Sequence, residues 1–158
     1  MICFDEMKSP VGRLTLVTNG DAVTYVAMEN QAHLPDRATF GRRRPGCANE
    51  LKSQLNAYFA GELTEFEGLA VGQGTAFEQA VWNALLTIPY GMTSTYGAIA
   101  NQIGNQKAVR AVGGAIGRNP LSIVVPCHRV IGASGKLTGY AGGLDRKLFL
   151  LRHEGVDV

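Results

Sequence analysis

The sequence has no long apolar run and no recognisable export signal. No stretch of about 18 or more apolar residues occurs, which argues against a conventional transmembrane helix. Residues 1–6 lack the basic start and following apolar stretch of a secretory signal. We therefore expect a cytoplasmic protein that has no membrane partner.

Cysteine is also scarce. The three cysteines, Cys3, Cys47 and Cys127, are widely spaced, and no Cys-x-x-Cys pair is present. This spacing argues against a zinc knuckle and against a dithiol redox motif. A metal held by Cys3, His33 and Cys47 would need the fold to bring them together, and their spacing does not favour it. We predict free thiols and no metal site.

Charge is modest overall but unevenly divided along the chain. The net charge is only +2, and 18% of the residues are charged. Residues 1–74 contain seven Lys/Arg and nine Asp/Glu, whereas residues 75–158 contain eight and four. A basic half of this kind attracts a phosphate backbone, although a solvated basic face without a partner would give the same count.

The N-terminal half predicts strands followed by one helix. Turn signals at 9–12 and 19–20 separate alternating apolar positions, which predicts a β-meander or a pair of hairpins. The arginines at 42–44 lie in an irregular segment and are predicted to form an exposed loop. Apolar residues at three- and four-residue intervals over 51–59 predict an amphipathic helix. The glycine-rich segment 68–74 predicts a linker, so we divide the chain into lobes 1–74 and 75–158.

The second lobe is predicted to be mainly helical. Thr75 and Glu78 have the spacing of a capping box, and the apolar stripe that follows contains Trp82, which we predict to be a core anchor. Two short helices over 95–103 and 107–116 flank a Gly-Asn-Gln break, an arrangement that resembles a helix-turn-helix.

The second of these short helices is rich in glycine. Gly113, Gly114 and Gly117 each cost roughly 1 kcal/mol relative to alanine unless something must approach the backbone closely. A DNA groove would explain them, and so would tight packing between helices.

A cysteine next to a histidine follows a β-branched run. Residues 123–125, Ile-Val-Val, predict a buried strand that delivers Cys127 and His128 to a prepared site. A free thiol is only a few per cent thiolate at neutral pH, so a nucleophilic cysteine needs an imidazole or a cation nearby. His128 and Arg129 would serve. The alternative is that Cys127 is a small buried apolar residue.

Five segments, in this order, resemble the O6-alkylguanine-DNA alkyltransferases, also called methylated-DNA–protein-cysteine methyltransferases. They are RAVGG at 110–114, NP at 119–120, PCHRVI at 126–131, TGYAGG at 138–143 and LLRHEG at 150–155. Several motifs in the right order are far more specific than any one of them. The resemblance implies an α+β fold, with a strand-rich, ribonuclease-H-like N-terminal lobe and a mainly helical, winged-helix-like C-terminal lobe that contains the helix-turn-helix.

The resemblance also implies a single-turnover repair enzyme. Such a protein binds double-stranded DNA, flips an O6-alkylguanine out of the stack and transfers the alkyl group irreversibly to Cys127, without a cofactor. Independently of the resemblance, we expect a monomer. The implied catalytic residues are Cys127, His128, Glu154, Asn119 and Tyr96.

The resemblance assigns a role to each of these residues. Glu154 orients His128, which takes the thiol proton through a water, and Asn119 fixes the backbone of the thiol turn. Tyr96 donates a hydrogen bond to the departing base. The implied DNA-binding residues are the arginine finger Arg110 with Ala111, Gly113 and Gly114. The implied guanine pocket is formed by Tyr140, Val130 and Tyr96.

Two other functions compete with alkyl transfer. A non-catalytic module that recognises alkylguanine in DNA would require the Cys127 thiol to be unreactive. A cysteine hydrolase would need an oxyanion hole and a separate substrate cleft, for which the sequence gives no sign. Whether O4-alkylthymine is also a substrate is left open by the sequence.

Overall fold

A four-stranded sheet forms the N-terminal part of the computed structural model, which describes residues 1–69 and 73–158. Strands β1 (Ile2–Met7), β2 (Leu14–Asn19) and β3 (Ala22–Met28) are antiparallel neighbours, joined by turns at the two predicted positions. The meander prediction is therefore confirmed.

The fourth strand corrects the loop predicted for the arginine triplet. Strand β4 (Arg42–Arg43) pairs in parallel with β1, which gives the sheet order β3-β2-β1-β4. The Arg43 guanidinium also lies 3.4 Å from the Glu6 carboxylate. A two-residue strand is too short to produce a periodic pattern in the sequence, and for that reason it was missed.

One long helix follows the sheet, as predicted. Helix α1 (Asn49–Phe59) buries a face that contains Leu51, Leu55 and Tyr58. The predicted linker 68–74 includes residues 70–72, which lie outside the described residues, so the lobe boundary remains a prediction.

The C-terminal part contains four helices and a small parallel sheet. Helix α2 (Ala76–Leu85) begins with the predicted capping box, in which the Thr75 hydroxyl accepts from the Glu78 backbone N–H at 3.1 Å. The buried Trp82 indole donates to the Ala115 carbonyl at 2.9 Å and is a core anchor, as predicted. Strand β5 (Ser94–Thr95) pairs with β6 (Val130–Ile131), and helix α5 (Leu144–His153) ends near the C-terminus.

The two predicted short helices are present within two residues of their predicted ends. Helix α3 (Tyr96–Gln102) and helix α4 (Val109–Gly117) pack against each other and are connected by residues 103–108. Among the described residues, no helix is both long enough and apolar enough to cross a membrane.

A hydrophobic core joins the two halves of the chain. Residues of β2, β3 and α1 pack in the same buried cluster as residues of α2, α3, α4 and α5. Its members include Leu16, Val26, Leu55, Val81, Leu85, Ile99, Val112 and Leu150.

The strand predicted for residues 123–125 is wrong. The chain forms a tight turn there, in which the Val124 N–H donates to the Ser122 carbonyl and Ile123 has φ +72°. A β-branched residue rarely adopts that left-handed conformation. The run Ile-Val-Val is buried because the turn is buried, so its apolar composition was misread as a strand.

Candidate active site

A short 3₁₀ helix places the candidate nucleophile. Cys127 is the first residue of this helix (Cys127–Arg129) and is buried at 5% exposure. The buried Asn119 side chain holds the preceding turn, because its Nδ2 donates to the Val125 carbonyl at 2.9 Å and its Oδ1 accepts from the Leu121 N–H at 3.0 Å. The bend supplies the departure from a regular strand that two adjacent cooperating side chains require.

Glu154 is the centre of a buried polar cluster beside the cysteine. Its Oε2 lies 2.8 Å from His128 Nε2, and its Oε1 accepts from Arg129 Nε at 2.7 Å. Arg129 Nη2 also donates to Oε2 at 3.1 Å, and Nη1 donates to the Ile88 carbonyl at 2.7 Å. The guanidinium and the carboxylate therefore form a bidentate pair inside the protein.

The protonation states follow from this geometry. Burial opposes ionisation of Glu154, but hydrogen bonds from His128 and Arg129 outweigh it and lower its pKa to about 2. An ionised carboxylate accepts only, so His128 Nε2 carries the proton and Nδ1 has the free lone pair. Nδ1 is buried and has no hydrogen-bond partner among the described residues. Burial lowers the pKa of His128, so the resting imidazole is neutral.

The thiol itself is protonated at rest. Burial raises the pKa of Cys127, while a hydrogen bond from Asn119 and the charge of Lys147 act in the opposite direction. Formation of a thiolate therefore requires a base, and a neutral histidine stands next to it in the chain.

Sequence reasoning missed two residues of this cluster. The hydroxyl of Tyr58, in α1, donates to Glu154 Oε2 at 2.6 Å across 96 positions of sequence. Lys147, in α5, is fully buried, and its Nζ donates to the Thr138 carbonyl at 3.2 Å. Burial lowers the pKa of Lys147 to about 8. Neither residue belongs to a local pattern that indicates a role in the site.

A cavity of about 450 Å³ opens next to Cys127. Tyr96 and Tyr140, both predicted to line the guanine pocket, form part of its wall, and the Tyr96 hydroxyl lies 2.7 Å from the Thr138 hydroxyl. Val130 does not line the cavity. Its side chain is fully buried in the hydrophobic core, and its place in the guanine pocket stays a prediction.

The N-terminal half contributes to the same cavity, which the sequence did not suggest. Ala32 and His33 line it, and the Ala32 N–H donates to the Ala141 carbonyl at 2.7 Å. The Tyr140 hydroxyl is buried without a hydrogen-bond partner in the described part of the chain. Burial and the nearby Cys127 raise its pKa.

Helix α4 presents an open glycine surface. A Cβ added to Gly113 would meet only the Tyr96 ring at 3.9 Å, and a Cβ at Gly117 would meet nothing within 4 Å. Helix packing therefore does not explain these two glycines. At Gly114 a Cβ would approach the flexible Arg118 side chain at 3.1 Å. Arg110 is exposed in the first turn of the same helix, followed by the exposed Ala111.

The predicted basic face is smaller than the charge count indicates. Of the eight basic residues between positions 107 and 152, Arg129 and Lys147 are buried in the core. Arg118 forms an ion pair with Glu78 at 2.6 Å, and Arg146 donates to the Glu29 carbonyl at 2.6 Å. The count failed because sequence alone does not distinguish a buried cation from a solvated one.

No cluster of three or more potential metal ligands occurs within residues 1–69 and 73–158. All three cysteines are free thiols. Cys3 lies against the Thr18 hydroxyl at 3.3 Å and forms no metal-ligand group with His33 and Cys47.

Known proteins match the chain along nearly its whole length. The family profile "6-O-methylguanine DNA methyltransferase, ribonuclease-like domain" matches residues 3–72, and "6-O-methylguanine DNA methyltransferase, DNA binding domain" matches residues 76–156. A methylated-DNA–protein-cysteine methyltransferase of Mycobacterium tuberculosis is 55% identical over 154 residues, which cover 98% of this chain and 93% of that protein. One of Haemophilus influenzae is 43% identical over 149 residues, covering 94% and 83%.

Solved structures agree with the sequence matches. The crystal structure of the Mycobacterium tuberculosis O6-methylguanine methyltransferase superimposes with a TM-score of 0.90 at 54% identity, covering 98% of this chain and 93% of that one. A structure of the Mycobacterium tuberculosis protein in complex with DNA gives a TM-score of 0.90 at 53% identity, covering 96% and 92%.

Proposed function

This chain belongs to the 6-O-methylguanine DNA methyltransferases, which repair DNA by direct reversal, and from that premise we propose that Cys127 takes the alkyl group from O6-alkylguanine. The observation that supports this assignment most strongly is the position of Cys127, which lines a cavity of about 450 Å³ and directly precedes His128, whose imidazole is hydrogen-bonded to the buried Glu154. The transfer forms a bond from Sγ to the alkyl carbon and breaks the bond from that carbon to the guanine oxygen. Because the thioether is stable, each molecule reacts once.

The thiol proton goes to His128. Its Nδ1 has the free lone pair, and the proton reaches it through a water, as the family resemblance implies. The Glu154 carboxylate then stabilises the imidazolium through Nε2. The positive charge of Lys147 acts in the same direction, because it lowers the pKa of Cys127.

The departing guanine takes up one proton from solvent, and the His128 imidazolium returns the thiol proton to solvent, so that protons and charge balance over the whole reaction. Tyr96 supplies a hydrogen bond to the base from its hydroxyl, which the Thr138 hydroxyl supports at 2.7 Å. Tyr140 also lines the cavity, and the apolar part of the lining excludes water from the alkyl group.

Helix α4 brings the DNA to the cavity. The open backbone at Gly113 and Gly117 allows a nucleic-acid backbone to approach closely, and Arg110 fills the space that the flipped base leaves. A contact in the minor groove reads little sequence, which suits repair at any site. The three cysteines are free thiols. We propose a monomer that acts in the reducing cytoplasm.

An intact-mass measurement tests the proposal. After incubation with a duplex oligonucleotide that bears one O6-methylguanine, we expect the protein to gain the mass of one methyl group, and peptide mapping to find it on Cys127. Cys47→Ser removes a different, partly exposed thiol and serves as the matched control. No mass gain, or methylation of Cys3 or Cys47 instead, contradicts the assignment. An unmodified protein that still binds the lesion would indicate the non-catalytic module.

The role of Arg110 needs a separate comparison of substrates. We expect Arg110→Ala to slow methyl transfer from duplex DNA much more than transfer from the free modified base, because only the duplex has a gap to fill. Arg152→Ala removes an exposed basic residue from α5 and is the control for lost charge. An equal loss of transfer rate on both substrates would count against the role of Arg110 as an arginine finger.

A further inference from the structure

Tyr58 connects the N-terminal half to the reacting site at two points. Its ring is fully buried near the end of α1, and its hydroxyl donates to Glu154 Oε2 at 2.6 Å. Its backbone carbonyl lies 2.7 Å from His153 Nε2, so His153 donates to it. Glu154 and His153 are neighbours at the end of α5. Tyr58 therefore fixes the end of α5 from the other half of the chain.

The Glu154 Oε2 atom is a shared acceptor. It lies within hydrogen-bond distance of three donors: Tyr58 Oη at 2.6 Å, His128 Nε2 at 2.8 Å and Arg129 Nη2 at 3.1 Å. Each donor withdraws negative charge from this oxygen, so that less of the charge is left to stabilise a positive charge on His128. The second bond from Arg129, to Oε1, already fixes the carboxylate plane. The Tyr58 hydroxyl therefore acts mainly by lowering the negative charge on Glu154 Oε2.

We propose that Tyr58 is a positioning residue that sets, through the shared Oε2 atom of Glu154, how readily His128 accepts the thiol proton. The inference rests on the proposed function, because it concerns the same histidine. It assigns the N-terminal half a part in the chemistry that neither the motifs nor the family profiles assign to it. Loss of the hydroxyl leaves more charge on Oε2, which favours the imidazolium and raises the pKa of His128.

Other titratable groups also surround this pair. Tyr90, which precedes β5, has its ring 5.8 Å from the Arg129 guanidinium, and His153 has its ring 5.0 Å from that of Tyr58. Among the described residues, the ionisable groups that act on Glu154 or His128 are Tyr58 from α1, Tyr90 from the α2–β5 connection, Arg129 from the 3₁₀ helix and Lys147 from α5, and His153 packs against the Tyr58 ring. Of these, Tyr58 and Arg129 donate to Glu154.

The test is the pH profile of methyl transfer in Tyr58→Phe. This substitution keeps the ring in its apolar surroundings and removes only the hydroxyl. We expect the midpoint of the acidic limb of the pH–rate profile to move to higher pH by about half a pH unit or more, since a hydrogen bond to a carboxylate is a strong one. A single-stranded oligonucleotide with one O6-methylguanine is the substrate, so that duplex binding does not enter the rate.

Tyr90→Phe is the matched control. It removes a hydroxyl from the same aromatic cluster, where the Tyr90 oxygen lies 3.5 Å from the His153 carbonyl and does not donate to Glu154. We expect its profile to coincide with that of the parent protein. A Tyr58→Phe profile that also coincides with the parent, or an equal shift in both variants, overturns the proposal.

Nuclear magnetic resonance separates this inference from the proposed function, because it needs no DNA. Titration of the ¹⁵N-labelled His128 ring should give a higher pKa in Tyr58→Phe than in the parent. If that variant does not fold, the parent alone decides: the buried Tyr58 hydroxyl proton should resonate far downfield, with a nuclear Overhauser contact to the His128 Nε2 proton. Its absence overturns the inference. A parent protein that takes up no methyl group contradicts the proposed function instead.

Discussion

Glu154→Gln is expected to destabilise the protein strongly, because it removes a charge on which several buried groups depend. The substitution preserves the shape of the side chain. It leaves the Arg129 guanidinium, only 7% exposed, without a counter-ion, and it presents an amide N–H₂ group to donors that now contact an oxygen. Breaking a buried pair by removing one partner is costly, since the other charge stays buried.

The magnitude follows from the pKa of Glu154. Its value falls from 4.5 to about 2 on folding, and each pKa unit corresponds to about 1.4 kcal/mol, so ionised Glu154 contributes about 3 kcal/mol to the free energy of unfolding. Because the folded-state pKa is the lower one, this contribution is present above pH 4.5 and is lost as the pH falls from 4.5 towards 2. The free energy of unfolding of Glu154→Gln should therefore not show this loss between pH 4.5 and pH 2.

Urea denaturation, followed by the fluorescence of the buried Trp82, measures both effects. At pH 7 we expect the free energy of unfolding to fall by about 3 kcal/mol in Glu154→Gln, and the gap to the parent to narrow as the pH approaches 3. Glu62→Gln, at an exposed position, should change it by less than about 0.5 kcal/mol. A loss below about 1 kcal/mol at pH 7, or an equal gap at pH 7 and pH 3, would refute the reasoning.

Three further substitutions test other parts of the site. Lys147→Met should raise the free energy of unfolding at pH 7 by about 1–3 kcal/mol in urea denaturation, because the buried ammonium has a folded-state pKa of about 8 against 10.5 in the unfolded chain. This gain in stability should vanish above pH 10.5, where Lys147 is neutral in both states. A gain independent of pH would contradict this reasoning. Gly113→Ala should stabilise α4 by about 0.5–1 kcal/mol but slow transfer from duplex DNA several-fold in a single-turnover assay, and undiminished transfer would argue against close DNA approach. Asn119→Ala should lower the free energy of unfolding, measured by thermal denaturation, by about 1–3 kcal/mol. The substitution leaves the Val125 carbonyl and the Leu121 N–H without their side-chain partner. An unchanged melting temperature would contradict this role of Asn119.

Local patterns predicted most of the fold. The turns around β2, the capping box of α2 and the two short helices depend on neighbouring residues, so the sequence contains their signals. The turn at Ile123 depends instead on hydrogen bonds from Asn119, several positions away, and on packing of the whole segment in the core. A run of β-branched residues gives no indication of that arrangement.

In the site, too, residues in local motifs were predicted and residues placed only by tertiary packing were not. The motifs supplied Cys127, His128 and Glu154, and the structure brings His128 and Glu154 into contact. Tyr58 has no motif of its own and reaches Glu154 only because the end of α1 lies against residues 153–154 in the fold. Burial of Lys147 beside the thiol is also a tertiary property. A sequence shows which residue types are present but not which of them lose their solvent.

The hydrophobic core shared by the two halves limits how modular the protein can be. Because Leu16 and Leu55 pack in the same cluster as Val81 and Leu150, neither half on its own would cover its apolar interior. Fragments made by dividing the chain between the halves should be poorly soluble apart and should recover activity only by reassociation. If the C-terminal half were fused to another protein, that protein would need to supply a surface that covers the apolar residues exposed by removal of the N-terminal half.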